Sequence, residues 1–508
     1  MNFKKSKGSH ISFSRRNFLS SSMIAGMGLL INPKTFAQPT NSHEEIADCL
    51  VLGAGMAGIS AAKNLAFPEY SRKGYKVIVL ESSSYVGGRI LSIDDPTFGG
   101  PVEMGAEYIH RKPGSVILWD DVKKYKAETI KVPRMLHGRM YYDGWGDNLR
   151  KHIAMAKEWN LMDITSFSSK ANKYKGPNIS AKQWIEKQGY EGLGRNLVDL
   201  YFTGHIPGHL DEVSVRGFAA DRVSEQEMEW NEYQIVGGYS SFVEKMTYGI
   251  NQHQGKQLDI RFNSPVNQIK YTDQGVEVRV KGGKIYKAKT AIITFSVGVL
   301  KSGKVEFIPA LPEAKQDALK CLGMGDEVKV ALKFKKRFWP EDTAIINSVA
   351  SENKMCRTFF IPFYGDDKNN NSLTALFAGE EADRVTSMSD DTLIRGLCAD
   401  LDKMFPHAAP VYEKILTPSS YLKMQWSQSP HTMGSDSFLK ANVDSSIPIE
   451  NVRKTLARCQ DTPCLYWAGE ATASGNGTQA ASTHGAHFSG ARAAIEVFTH
   501  LETKKHSI

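Results

Sequence analysis

Apolar and polar positions follow two rhythms along this chain. Largely unbroken apolar runs at residues 50–52, 76–80 and 291–293 read as buried strands, the first of them parallel. Period-two alternation at 276–280 and Ser372–Ala378 reads as strands as well. Amphipathic helical patterning covers 152–161 and Ala181–Gln188, and a further helix is expected near 392–404. From about 112 to 235 the pattern changes to amphipathic, aromatic-rich segments that carry no nucleotide motif. No internal repeat or low-complexity tract is visible.

The first apolar run ends in Gly53-x-Gly55-x-x-Gly58, and small helix formers beginning with Ala57 follow at once. Gly53 permits the tight turn, Gly55 lets backbone approach a pyrophosphate, and Gly58 lets a helix pack on its strand with its N-terminus toward the phosphates. The second run ends in Glu81, 23 residues after Gly58, about where a ribose-binding acid belongs. Gly87-Gly88-Arg89 comes next. Glu-x5-Gly-Gly-Arg resembles the second flavin motif of the glutathione-reductase-like enzymes, with Arg89 supplying a fixed positive charge. The expected cofactor is therefore FAD, on an α/β Rossmann-like domain.

Length and charge narrow the picture further. A chain of 508 residues has room for two to three domains. The net charge of +8 comes from scattered basic residues largely balanced by 55 acids, so no nucleic-acid partner is expected, and the basic run at 333–337 reads as a solvated face. Six cysteines without a C-x-x-C spacing suit neither zinc nor a dithiol site, and no metal is expected; Cys459 and Cys464 could pair, with buried free thiols the alternative. Lys4, Lys5 and Lys7 precede Ser14-Arg15-Arg16-Asn17-Phe18-Leu19, which resembles a twin-arginine export signal. The apolar stretch 19–31 is too short and too polar to span a bilayer, and small residues end it before a cut after Ala37. Residues 1–37 are expected to be a signal peptide, the twin-arginine translocation machinery a partner, and the location periplasmic or secreted; an amphipathic anchor is the alternative. That route carries folded proteins, which suits one that takes up its flavin inside the cell.

Beyond the glycine motifs, the chain resembles the flavin-containing amine oxidases over nearly all of 44–498. The resemblance rests on Gly105-Ala106-Glu107-Tyr108-Ile109-His110, Val236-Gly237-Gly238-Tyr239, the 260–269 stretch with Val266, the 291–300 strand and turn with Pro309-Ala310-Leu311-Pro312, Gly325-Asp326-Glu327-Val328-Lys329, Trp426 with Gly434-Ser435-Asp436-Ser437, and Ala468-Gly469-Glu470 with Ser482-Thr483-His484-Gly485-Ala486. It implies that Gly105, Ala106 and Glu107 lie against the flavin ring, that the Val266 backbone meets adenine, and that Lys329 holds a water beside flavin N5 where oxygen reacts. His110, Lys329 and Asp436 are the candidates for the chemistry. Without the family, Lys329 reads as one of several strand lysines facing water. Glu470 at a strand end could accept a ribityl or ribose hydroxyl, and a helix starting near Thr483 would aim its amides at the flavin pyrimidine.

Three positions depart from the family pattern. Ser435 stands where covalently linked members have cysteine, so the FAD is expected to be non-covalent. Asp436 and Ser482 stand where the family often places the two aromatics that sandwich the amine. Asp436 could instead pair with a second cationic nitrogen, or be a loop acid in water. The implied architecture is α/β: a two-domain FAD-binding flavoprotein of the glutathione-reductase type (44–111, 236–305, 425–500) interleaved with a mixed-sheet α+β substrate domain (112–235, 306–424). The implied reaction oxidises a primary or secondary amine, polyamine or monoamine, to an imine, with O2 reduced to H2O2. An L-amino-acid oxidase of the same fold, with Arg216 or Arg222 holding the carboxylate, and a flavin-retaining binding protein are the alternatives. The sequence leaves the oligomeric state open.

Overall fold

The computed structural model describes residues 46–132, 139–142, 145–148, 169–222, 231–250, 256–341, 343–348, 355–362, 371–417, 420–474 and 479–503. The segment 1–37 and the helix expected at 152–161 lie outside the described residues.

The first apolar run belongs to strand β1, Ile46–Leu52, buried from Cys49 onward. Helix α1, Met56–Ala66, leaves it through the glycine turn, and β2, Val77–Leu80, returns parallel to β1. On β1's other side runs β3, Ile285–Ile293, also parallel. Asp259–Arg261 extends the sheet beyond β2. The carboxyl half of β3 pairs with Leu465–Trp467; its amino half continues antiparallel through Gly275–Val280 to Val266–Thr272, which in turn pairs parallel with Glu306–Ile308. Separate apolar clusters cover the two faces of this sheet, which is why its central strands read as unbroken apolar runs.

Small residues let α1 pack along the C-terminal helix α2, Thr483–Thr503. A Cβ on Gly58 would strike the Gly53 carbonyl, and one on Gly490 would strike the Ala57 carbonyl. Farther along the same seam, Lys63 Nζ donates to Asp121 at 2.9 Å and His487 Nε2 lies 2.6 Å from the other Asp121 oxygen, all three groups buried.

In the second sheet, β4, Glu327–Lys333, runs antiparallel between Tyr421–Gln425 and Ser372–Ala378. The sheet continues through Thr358–Phe360 and Ile345–Ser348 to Arg139–Tyr142 and Trp145–Asn148. Helix Asp390–Met404, capped by Ser389, packs on one face. The other face packs through Ala331, Met424 and Trp426 against Leu91, Phe98 and Met104, on and beside the separate hairpin of Ser92–Asp95 and Gly100–Glu103. Ala181–Gln188 forms with its expected bounds because Ser180 and Gln183 make a capping box and Gly189 closes it in the left-handed region. One boundary moves: Glu306–Ile308 lies in the first sheet, and Ala318, Leu319 and Cys321 pack into that sheet's core, so the second layer resumes at β4 rather than at 306.

Replacing Gly490 with alanine is expected to force α1 and α2 apart and destabilise the protein by about 1–3 kcal/mol. Calorimetric unfolding would show it as a lower Tm; an unchanged Tm would mean that the helices part without strain.

Candidate active site

The turn between β1 and α1 is bare backbone. Gly53 has φ +115°, and Gly55 caps α1 without any side-chain bond, with no acid in the first turn. The helix N-terminus is thus left open to an anion. Gly87 and Gly88, at φ 111° and 60°, come against it, and Gly87 N–H donates to Ala54 O at 2.9 Å. A Cβ on Gly88 would sit 3.4 Å from the Gly55 Cα. These glycines, with Ala57 buried behind them, form a cradle a diphosphate fits.

Glu81, 5% exposed, follows β2. Its Oε2 accepts from Ala54 N–H at 2.6 Å and its Oε1 from Ser83 N–H at 2.7 Å and the Ser82 hydroxyl at 3.2 Å. One lone pair on Oε2 stays available for a ligand hydroxyl. Ser264 N–H donates to Glu81 O at 2.8 Å and so brings the start of the Val266–Thr272 strand beside it.

Arg89 gathers the second group. Its Nη1 donates to Ser435 O, to Glu470 Oε1 at 3.0 Å and toward Asp436 Oδ1 at 3.5 Å. Glu470 also accepts from Ser437 N–H and Oγ–H and from Ala481 N–H, so all four lone-pair directions are used. A ribityl hydroxyl would have to displace one of them. Burial works against it, yet the guanidiniums of Arg89 and Arg453 hold Glu470 below the usual carboxylate range. Burial pushes Glu327 up to about 7 and Asp436 well above its usual range, the Glu327 carboxylate adding to the latter. Asp436 is therefore a part-buried acid facing a guanidinium, not a loop acid in water. With Asp221 on Arg453 at 2.8 Å, the group sets four carboxylates against two guanidiniums.

Lys329 is inward. Alternation along β4 sends Val328, Val330 and Leu332 into the apolar core and Lys329 and Lys333 to the face that meets residues 98–107. Lys329, 6% exposed, donates to Gly105 O at 2.8 Å, to Glu103 O at 3.2 Å and to Glu107 Oε2 at 3.2 Å. An ammonium has three N–H donors, and protein acceptors take all three. A water beside it would have to replace one. Ala106 N–H donates to Arg89 O at 3.0 Å, and a Cβ on Gly105 would strike that same carbonyl, so this run lies close on the Gly-Gly-Arg turn.

The Glu103 carboxylate accepts from Tyr239 N–H at 2.7 Å and the Ser92 hydroxyl at 2.8 Å; burial pushes it up to about 7, with Glu107 adding. Tyr239 Oη donates to Thr483 Oγ1 at 2.9 Å, at the start of α2, whose N-terminus Ser482 caps by accepting from Gly485 N–H at 3.0 Å. The three acceptors of Lys329 do not include His110, whose ring lies 6.4 Å from the ring of His484 and whose Nδ1 is 3.9 Å from Glu232. Burial, then Arg111 and Arg222, hold His110 down at about 4, so it is uncharged at neutral pH.

The structure thus brings Lys329, Gly105, Ala106 and Glu107 together, groups Arg89, Asp436 and Glu470, and sets both beside the glycine cradle through Arg89. Sequence reasoning passed over Glu103, Glu327, Tyr239 and Arg453. Glu327 stood inside a motif already noted and Glu103 two residues ahead of one, but a strand carboxylate reads as solvent-facing until its covering layer is known. Arg216 is exposed on Glu450 at 3.3 Å, and Arg222 is buried over the Phe218 ring. Among the described residues, His209, Asp211 and Glu380 come within metal-ligand reach of one another at the surface, with His209 paired to Asp383 at 2.7 Å.

Residues 56–498 match the family described as flavin containing amine oxidoreductase. Polyamine oxidase 4 of Oryza sativa subsp. japonica is 28% identical over 471 residues, covering 88% of each chain. Polyamine oxidase 2 of Arabidopsis thaliana is 28% identical over 467 residues, covering 88% of this chain and 86% of its own. Among solved structures, cyclohexylamine oxidase from Brevibacterium oxydans IH-35A superposes with a TM-score of 0.71 at 18% identity, covering 90% of this chain and all of that one. Putrescine oxidase bound to putrescine gives 0.70 at 17%, with the same coverage. The α/β two-domain flavoprotein architecture is shared with these.

Glu103 carries a proton in the folded protein up to about pH 7, whereas an unfolded glutamate loses it near 4.3. Its stabilising contribution is therefore present at low pH and is lost as pH rises through that window, at no more than about 1.4 kcal/mol per pH unit. Glu103→Gln should flatten this part of a Tm-against-pH curve between pH 4.5 and 7; an identical slope in mutant and wild type would show that Glu103 titrates normally.

Proposed function

Since the chain belongs to the flavin-containing amine oxidoreductase family, we propose that its substrate is an aliphatic di- or polyamine, with O2 as electron acceptor, and that it works in the periplasm or outside the cell after twin-arginine export. The protein is an FAD-dependent amine oxidase that converts an amine to an imine. FAD, when bound, supplies the acceptor for the two electrons of that oxidation. The glycine cradle and the α1 N-terminus would hold its diphosphate, and Glu81 a ribose hydroxyl. Ser435, a hydroxyl bonded to Gly325 O at 3.2 Å, offers no thiol for a covalent link.

The observation that carries the polyamine reading is the acid group at Asp436, where the family often places an aromatic. Asp436 and Glu327 lie together against one shared guanidinium, and a second ammonium on the substrate would relieve their repulsion. His110, kept uncharged by burial, adds no positive charge against a cationic substrate. The names of the plant relatives and the putrescine bound to the solved neighbour support the same class. An amino-acid substrate finds less support, because Arg216 is at the surface and Arg222 is stacked on Phe218.

Peroxide formation should be seen with putrescine or spermidine and be weak with tyramine and amino acids. Asp436→Asn is expected to raise KM for the diamine tenfold or more while leaving a monoamine's unchanged, since a hydrogen bond to a charged group is worth about 1.5–3 kcal/mol. Peroxide from amino acids alone would return the amino-acid oxidase reading, and a flavin that no amine bleaches anaerobically would mean a binding protein.

Acid precipitation should release all the FAD into the supernatant; colour left on the polypeptide would mean a covalent link elsewhere. Exchange of Arg15-Arg16 for two lysines should strand active, FAD-loaded enzyme in the cytoplasm. Undiminished export of that variant would point to a different route.

A further inference from the structure

We infer that Glu107 is a positioning residue that sets the charge Lys329 presents to the flavin, an inference that rests on the flavin reading above. Two of the three Lys329 N–H groups end on the neutral carbonyls of Glu103 and Gly105. The third ends on the Glu107 carboxylate at 3.2 Å, with both side chains almost wholly out of water. In so dry a seam an ion pair acts on its surroundings as a dipole, not as a free positive charge. The Glu107 carboxylate is itself held, because Gln234 Nε2 donates to its other oxygen at 2.8 Å. Gln234 lies on a strand that pairs with Ile109–His110, so the clamp is built into the backbone. The neighbouring Glu103 carboxylate is taken by Tyr239 N–H and Ser92, which leaves Glu107 as the one carboxylate bonded to Lys329 among the described residues.

Removing the charge of Glu107 while keeping its shape takes from Lys329 its one bonded carboxylate, and the positive charge beside the Gly105–Ala106 backbone is then offset only by Glu103 and Glu327, both held up at about 7 by burial. A positive charge favours the reduced flavin, which carries more negative charge than the oxidised one. Glu107 as a purely structural clamp has no such consequence. The two roles separate in a property that needs neither amine nor oxygen turnover.

The experiment uses holoenzyme: wild type, Glu107→Gln, Glu107→Asp, Lys329→Met and the double variant Glu107→Gln/Lys329→Met. FAD occupancy is measured first, then the oxidised–reduced equilibrium against a reference dye under anaerobic conditions. Glu107→Gln should shift that equilibrium toward reduced flavin tenfold or more, about 30 mV for a two-electron couple. Glu107→Asp, which keeps the charge, should stay within twofold of wild type. The shift should vanish when Lys329 is already methionine, because Glu107 acts through the lysine. An equilibrium within twofold of wild type in flavin-loaded Glu107→Gln, or an undiminished shift without Lys329, overturns the inference. Should Glu107→Gln lose its flavin, Gln234→Leu removes the donor that holds the carboxylate and should shift the equilibrium the same way by less; no shift there overturns the inference as well. A wild-type protein without flavin would instead sink the cofactor reading.

Discussion

The close approach of α1 to the backbone around it is the constraint on which the rest of this structure depends. Three glycines set it: Gly58, where a Cβ would strike the Gly53 carbonyl, Gly88, whose turn at φ 60° lies on Gly55, and Gly490, where a Cβ would strike the Ala57 carbonyl. The first aims a helix N-terminus at a ligand, the second adds a second strip of bare amides, and the third seats the C-terminal helix. These residues come from opposite ends of the chain. Everything between is free to be something else, since the entropy of closing a loop grows only logarithmically with its length. That freedom is where the second sheet is built.

Buried polar ties then fix how the separate stretches meet. Arg89 joins the first stretch to Glu470, Arg453 joins the last to Asp221, His487 meets Asp121, and Lys329 reaches from the second sheet to Glu107. Such pairs add little net stability, because desolvation offsets most of the attraction, but leaving one partner alone is costly. They therefore discriminate against wrong registers more than they strengthen the right one. Three of the four also stand beside the glycine cradle or the start of α2, so the groups that align the chain are the ones that shape the site.

Legibility followed from whether a local rule had one physical cause. The glycine turn could be read because only glycine tolerates those backbone angles and approaches, and Ala181–Gln188 because its caps are local. The buried parallel strands could be read because nothing but double-sided burial gives an unbroken apolar run. β4 could not, since alternation says which residues share a face and not what covers that face. Lys329 and Lys333 share the polar face of an ordinary half-exposed strand, and residues 98–107, more than 220 positions earlier, supply its cover. The same ignorance hid Glu103 and Glu327. It also misplaced the boundary at 306, where a helix with an ordinary polar face carries Ala318 and Leu319 into the first sheet's core.

The departures at Asp436 and Ser482 have a joint consequence for recognition. Aromatic walls hold an amine by its apolar stem and attract its charge weakly through the ring faces. Here Ser482 is consumed as a helix cap and Asp436 faces a guanidinium, so neither wall is aromatic at these two positions. On the polyamine reading proposed above, what replaces them is electrostatic. Burial holds both Asp436 and Glu327 above the usual carboxylate range, and Arg89 is already shared with Glu470. A site in that state gains most from a ligand that brings its own cation, because the cation both ionises the acids and neutralises them. Selectivity in such a site depends on where along the substrate the second charge lies, whereas an aromatic pair would sense only the amine that it encloses.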